Sequence, residues 1–379
     1  ILMKKKIAII GAGVAGLTLA NLIKSHSNFE FIIYEKKETL TAEDGFGIQL
    51  ATNSVSILNK IGFKKINAAE IYHPNNLDFY SFDSKKICNL NLSQFNSEEI
   101  KYTTLQRSTL INFLKNQIYT QHLKFGKNIQ KVSEIKEKIL INFDDNTKDE
   151  VDYVVAADGI FSNTRKFFEA NINKPKYKNA IAVRTIIESN SFLDIDEKNI
   201  NILMGSNAHI VIYPVNKKNE LNLVCVIRMK NSDQDNVKNI IKKKFLNYNP
   251  NLKNLFQDDL KSWPLYATSK IIPSSNKKVF YIGDAFYTFL PSMAQGASQS
   301  IEGAFELFDI LSKNSVNAHN LYFEKRSKRV KQIKKRSDFN FFAFHISIPI
   351  ISRIRNLILK SLVKSKSFVS RYLGEVYKH

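Results

Sequence analysis

"KIAIIGAGVAG", residues 6–16, decides the fold. The run KIAII reads as a strand buried on both faces, as parallel strands are. Gly11, Gly13 and Gly16 follow in G-x-G-x-x-G register. Residues 14–25 then carry Val14, Leu17, Ala20 and Leu22 at helical spacing. A second strand, FEFIIYE, ends at Glu35. Gly11 permits a tight turn, Gly13 lets the backbone approach a pyrophosphate, and Gly16 lets helix and strand pack closely. The helix N-terminus offers free N–H groups and partial positive charge to phosphates. Glu35 can accept from an adenosine ribose, and its charge repels a 2′-phosphate. Ala15 and Lys36 complete the cofactor-binding set expected here. The motif admits NAD or FAD and does not separate them.

The chain has 379 residues, 44% hydrophobic, with 13 glycines and 8 prolines, which suits a large core in two domains. Cys88 and Cys225 form no CxxC pattern, fitting a reducing cytosol. The seven histidines show no metal-ligand spacing. Met3 is read as the natural start, no signal peptide is visible, and no segment is apolar enough to span a membrane. The expected location is the cytoplasm. Net charge is +21, and residues 321–379 hold 15 Lys and Arg against 3 Asp and Glu. Nucleic acid or anionic lipid is the pointed reading. A solvated basic surface is favoured, because no nucleic-acid module appears.

Along the chain, residues 45–63 read as a loop and then a helix with Gly62 at its end. Residues 77–92 suggest two short strands. Residues 104–120 suggest a helix opening at Thr103/Thr104, with Arg107 in its first turn, where a cation opposes the helix dipole. Residues 138–144 and 151–156 read as strands joined by the turn DDNTKDE. The second runs into Asp158-Gly159, a carboxylate at a strand's carboxyl end, where open α/β sheets bind ligands. A plain helix cap is the simpler account of Asp158. AIAVRTII, HIVIYP and LNLVCVIRM read as antiparallel strands, and residues 235–260 as helical. From Val279 the parallel pattern returns as VFYIGD, followed by a helix from about Ala297 to Leu311.

Three elements stand together: GAGVAG with Glu35, Ala157-Asp158-Gly159, and Gly283-Asp284 followed by Pro291 and Ala294-Gln295-Gly296-Ala297. The set resembles the class A flavoprotein aromatic monooxygenases, the p-hydroxybenzoate hydroxylase superfamily, over almost the whole chain. Within it, salicylate hydroxylase, 3-hydroxybenzoate 6-hydroxylase and 6-hydroxynicotinate 3-monooxygenase share the AQGA form and a His-x-x-x-Tyr-Pro strand, here His209 to Pro214. The ending RYLGEVY is similar too. The resemblance implies FAD, with Asp284 on the ribityl hydroxyls and residues 291–297, Gly296 and Ala297 included, against the isoalloxazine ring. It further implies Asp158 and Gly159 in a motif linked to FAD and NAD(P)H, and Arg107 as an FAD contact.

The implied fold is α/β (α+β overall): a Rossmann-like FAD-binding domain with an inserted, mostly antiparallel β-sheet substrate domain and C-terminal helices. The FAD-binding parts are placed at 1–75, 102–175 and 271–313, the substrate parts at 76–101 and 176–270, and the C-terminal helices at 314–379. The implied reaction takes electrons from NADH or NADPH and moves one atom of O₂, through a flavin C4a-hydroperoxide, to a phenolic or heteroaromatic, acidic substrate. His209 is the expected base, Tyr213 hydrogen-bonds substrate or base, Pro291 and Gln295 position the reacting groups, and Arg184 faces a substrate carboxylate. No metal is implied. The protein is expected as a monomer or homodimer.

Two departures stand out: Tyr287 where the family has histidine, and Gly303 where it has an acid. They raise an alternative, a flavoprotein oxidase or redox-responsive binding module. A second alternative is a quinone-precursor hydroxylase at a membrane, suggested by apolar residues 339–363. Packing of that segment on the FAD-binding domain, with a break near Pro349, is the favoured expectation.

Overall fold

Lys5–Ile10 (β1) is hydrogen-bonded in parallel to Phe29–Tyr34 (β2) on one side and Tyr153–Ala156 (β12) on the other. Val279–Tyr281 (β18) extends β12, and Leu123–Lys124 (β8) extends β2, giving the order β18-β12-β1-β2-β8. The computed structural model describes residues 4–40, 46–169, 174–188, 193–230, 237–246, 252, 256 and 260–378. Ile7, Ala8 and Ile9 are fully buried, as a parallel strand covered on both faces requires.

Val14–Ile23 (α1) covers one face, and all ten of its residues are buried. It packs on Gly296–Ser312 (α5). Close approach is enforced at two glycines. Gly11 has φ +110°, and a Cβ there would lie 2.5 Å from the Ala157 carbonyl oxygen. A Cβ on Gly16 would lie 2.1 Å from the Gly11 carbonyl oxygen. Ile129–Ile135 (β9), Lys138–Phe143 (β10) and Lys148–Val151 (β11) form an antiparallel meander, order β11-β10-β9.

The second large sheet has the order β17-β13-β16-β15-β14-β5-β6. Its strands are Asn76–Ser81 (β5), Lys86–Asn91 (β6), Lys176–Glu188 (β13), Ile200–Gly205 (β14), Ala208–Pro214 (β15), Glu220–Arg228 (β16) and Lys261–Ala267 (β17). All its pairs are antiparallel except β5 with β14. Val237–Leu246 (α4) packs Ile241 and Phe245 on one face. The other face meets the C-terminal segment through Phe344, Val369, Leu373 and Tyr377.

A small sheet joins the two units: Gly47–Leu50 (β3), Thr103–Gln106 (β7) and Ile71–Tyr72 (β4), order β3-β7-β4. Gly47 N–H donates to Asn222 Oδ1 at 2.7 Å, and Thr104 Oγ1 donates to the Pro214 carbonyl at 2.5 Å. A Cβ on Gly47 would lie 2.6 Å from Asn222 Cβ, so the contact itself selects glycine.

Several sequence expectations change. The helix expected over 104–120 is shorter: residues 103–106 are strand, and the helix is Arg107–Lys115 (α3). The β-branched pair Thr103-Thr104 suits the sheet, which outweighs its use as a helix opening. The loop expected before Thr52–Lys60 (α2) contains β3. Asp144 to Thr147 make the expected turn, while the last three residues of DDNTKDE, Lys148 to Glu150, are already in strand β11, paired with β10. Strand β14 had no reading of its own. Of the helix expected over 235–260, α4 is described, and residues 235–236, 247–251, 253–255 and 257–259 lie outside the described residues.

Residues 339–363 end one helix, Ala318–Phe344 (α6), and form another, Pro349–Leu362 (α7). Pro349 sits at the first helical position, where a missing N–H is harmless. α7 packs on β6 of the seven-stranded sheet rather than on the FAD-binding unit. Leu359 and Val363 supply that contact.

Gly16→Ala is expected to cost on the order of 3 kcal/mol, because the new methyl group meets backbone that cannot rotate away. Denaturant unfolding of the apoprotein measures this. An unchanged midpoint would contradict the packing described.

Candidate active site

Parallel register lines up the carboxyl ends of four strands. Tyr34, Ile10, Ala156 and Tyr281 are neighbours in successive pairs. The residues just beyond, Glu35, Gly11, Asp158 and Asp284, therefore emerge along one edge. At about 4.8 Å per strand, that row is roughly 14 Å long.

A cavity of about 260 Å³ opens at the β1–β2 side of this edge. Gly11, Gly13, Glu35, Lys36, Arg107, Asp158 and Gly159 line it. Glu35 Oε2 accepts from Ala12 N–H at 2.9 Å, and Oε1 accepts from Lys37 N–H at 3.0 Å. The carboxylate is thus fixed, with lone pairs left for a ligand hydroxyl. Asp158 Oδ2 accepts from Thr164 N–H at 3.0 Å and Thr164 Oγ1 at 2.9 Å, while its Oδ1 is buried without a partner. Asp158 therefore caps a turn and keeps a free acceptor.

Gly13 caps α1, and a Cβ there would meet nothing within 4 Å. Protein packing does not demand glycine at 13; the cavity it borders does. Arg107 is the first residue of α3 and is exposed into the same cavity. Two helix N-termini, at Gly13 and Gln106, add their partial positive charge. This field and the bare Gly13 fit a diphosphate, and Glu35 fits the adjoining ribose.

A second cavity, about 400 Å³, adjoins the first at Phe161, which lines both. The segment after β18 contributes Asp284, Pro291, Ala294, Gly296 and Ala297, and the seven-stranded sheet contributes Arg184, His209, Tyr213 and Trp263. Asp284 sits in a tight turn over Gly283–Ala285, where Gly283 has φ +59°. Arg165 anchors this turn: its Nη1 donates to the Ala285 carbonyl at 3.1 Å, and Glu169 holds its other face at 2.7 and 3.1 Å. Asp284 is exposed, and it borders the cavity. Burial raises its pKa from 3.8 to about 6, against the opposing pull of Arg107. Ala294, at φ +50°, is a non-glycine residue in the left-handed region. That strain falls where α5 starts. Gly296 there is open to the cavity, and a Cβ on it would meet nothing within 4 Å.

The floor of this cavity rests on a buried polar network. Glu302 is held by Arg326 at 3.3 Å, Arg329 at 2.6 Å and Asn53 at 2.8 Å, and its pKa falls to about 2, these partners outweighing the cost of burial. Gln295 joins the network. Its Oε1 accepts from Gln299 at 3.0 Å and Asn53 at 3.4 Å, and its Nε2 has no partner. Gln295 lines neither cavity, and the structure places it under the loop, as a support. Ala15 and Gly16 lie beneath as well: Ala15 packs against the Gly283 turn.

His209 is buried and lines the second cavity. Its Nδ1 lies 2.8 Å from His345 Nε2. Burial holds both imidazoles below the ordinary histidine value, and for His345 the neighbouring His209 adds to the shift. Burial thus favours the neutral form of both rings, and either ring can donate the N–H of this bond. Burial also raises the Tyr213 phenol, against the attraction of Arg184. Arg184 lies 5.7 Å from the Trp263 ring centroid, and its Nε is buried without a partner.

Tyr287 and Gly303 line neither of these cavities. Arg326, the cation beside Gly303, already has Glu302 and Glu306 as partners. The departures thus fall outside the site. Sequence reading missed His345, Gln49 and Trp263. His345 follows the end of a long helix and has no spacing relation to His209; only tertiary contact pairs them.

Gly13→Ala should leave apoprotein stability unchanged and weaken FAD binding at least about tenfold, read by flavin titration. Asp284 gives a pH signature. Between about pH 4 and 6 the folded protein retains a proton that the unfolded chain has lost, so apoprotein stability falls across that range and is flat above it. Asp284→Asn should therefore stabilise the apoprotein at pH 7 and not at pH 4. Hydroxyl donors favour the ionised carboxylate, so wild-type FAD affinity should drop below about pH 6, a step the variant lacks.

The family described as "FAD binding domain" matches residues 4–337. A 3-amino-4-hydroxybenzoate 2-monooxygenase of Streptomyces platensis is 25% identical over 93% of this chain and 92% of its own length. A 6-hydroxynicotinate 3-monooxygenase of Bordetella bronchiseptica is 24% identical over 89% of this chain and 91% of its own. Klebsiella pneumoniae HpxO, solved with FAD and uric acid, superposes with a TM-score of 0.85 at 17% identity, covering 98% of this chain and 96% of that one. With the glycine turn, Glu35, Asp158 and Asp284 gathered at one sheet edge, the chain belongs to the FAD-binding-domain family, among the class A flavin monooxygenases.

Proposed function

We propose that the protein is an FAD-dependent, NAD(P)H-consuming monooxygenase that hydroxylates a phenolic or heteroaromatic acid. The observation that carries this reading is the second cavity, where Arg184, His209 and Tyr213 face the segment 284–297. Bound FAD would supply oxygen activation there, held by Glu35, the glycine turn, Arg107 and Asp284.

Arg184 offers an unpaired, buried N–H to a carboxylate, and a guanidinium in that state gains most from an anionic partner. His209 has Nδ1 engaged with His345, which leaves Nε2 to a ligand hydroxyl. In the tautomer where His209 Nδ1–H donates to His345, Nε2 can accept the phenol proton; the phenolate formed beside it supplies the counter-charge that offsets the burial otherwise keeping His209 neutral, and the imidazolium keeps its bond to His345. Ring attack ortho or para to the hydroxyl is easier once that proton is gone. Tyr213, with its raised pKa, stays a neutral donor. The names of the two relatives fit, since both specify a hydroxylated ring acid.

Purified protein should be yellow and should couple NAD(P)H oxidation to a hydroxylated product with some member of a panel of hydroxybenzoates and hydroxypyridine carboxylates. His209→Ala should keep flavin and lose about 10²- to 10⁴-fold in kcat. Arg184→Ala should raise KM for a carboxylated ring and leave its decarboxylated analogue unaffected. Full conversion of O₂ to hydrogen peroxide with every compound would instead favour an oxidase.

A further inference from the structure

We propose that the outer face of α7 docks on an anionic membrane surface. Ile350, Ile351, Ile354, Leu357 and Ile358 are each 44–70% exposed. Their spacing of one, three and four residues gathers them into a single stripe. The opposite face is fixed: Leu359 and Val363 pack on the seven-stranded sheet, and Arg355 Nη1 donates to the Ala343 carbonyl at 2.9 Å. The stripe is therefore presented outward by a helix held from behind. Phe339 and Phe342, near the end of α6, are 57% and 60% exposed and add to the apolar surface.

Charge identifies the occupant. Residues 339–379 carry seven Lys and Arg and one Glu. Arg353 and Lys360 fall on one flank of the stripe at helical spacing, and both are exposed. An apolar stripe with a cationic flank fits lipid acyl chains beneath anionic headgroups. A second copy of the chain fits poorly. A two-fold contact would bring the same cations together, and a stripe about 12 Å long and one helix wide projects only about 120 Å², far below the roughly 800 Å² per partner of a stable interface. Among the described residues no helix is long and apolar enough to cross a membrane, so the contact lies at the surface.

A third cavity gives the location a use. It measures about 150 Å³, is mostly apolar, and reaches from Leu359 and Leu362 on the inner side of α7 to His209 and Pro291. Half-exposed Phe339 lines it too. It shares Gln49, His209, Val211, Pro291 and Ala294 with the ring cavity.

The test is sedimentation of the flavin-loaded protein with vesicles of phosphatidylcholine alone or with phosphatidylglycerol, read without turnover and so independent of the proposed reaction. Binding should need phosphatidylglycerol and weaken with salt. The pair Ile354→Glu and Leu357→Glu should lower partitioning at least about tenfold while leaving flavin content and melting temperature unchanged. Arg353→Glu with Lys360→Glu should do likewise. The proposal is overturned if anionic vesicles retain no protein, if the Ile354/Leu357 variant binds as wild type does, or if that variant instead splits a dimer on gel filtration.

Discussion

Parallel hydrogen bonding in register between β1, β2, β12 and β18 is the constraint on which the site depends. Parallel pairing forces all four strands to end at the same edge. The glycine turn, Glu35, Asp158 and Asp284 then meet although they span residues 11–284 of the sequence. An antiparallel or slipped pairing of β18 would send Asp284 to the far edge and leave a long dinucleotide held at one end only. The glycines at 11 and 16 protect this arrangement, since a side chain at 16 would drive α1 off β1 and one at 11 would strike the Ala157 backbone beyond β12.

The second unit is attached by a few specific bonds that fix where its chemistry points. Gly47 to Asn222 and Thr104 to Pro214 tie the small bridging sheet to β15 and β16. Those strands carry His209 and Tyr213, and β13 beside them carries Arg184. The buried network around Glu302 fixes α5 and α6 against α2, and Arg329 extends it to the C-terminal backbone at Glu375 and Val376. Breaking such a paired, buried charge would strand its partners and cost several kcal/mol. The same helices that brace the ring cavity therefore also position α7 and the apolar cavity behind it.

The site divides into two electrostatic regions. The first is cationic, with two helix N-termini and Arg107 facing a cavity whose two carboxylates are already oriented by backbone and threonine donors. In the second, burial pushes three ionisable groups toward neutrality: Asp284 upward, His209 downward, Tyr213 upward. Arg184 is the cation of this region, and its Nε has no partner, which is why an anionic ligand would gain most at that position.

The sequence by itself determined the dinucleotide turn, the three carboxylates at strand ends, and five of the seven strands of the second unit's sheet, all but β14 and β17. These are local signals: glycine spacing, apolar runs and the turns that end them. Short strands such as β3, β7 and β11 were not legible, because their sheet character comes from partners far along the chain rather than from their own pattern. Tertiary structure alone decided that His345 meets His209, that Gln295 turns under its loop, and that Tyr287 and Gly303 stand away from the ring cavity. It also decided which face of α7 looks outward, since a helical stripe of isoleucine and leucine reads the same in sequence whether a neighbouring sheet covers it or not.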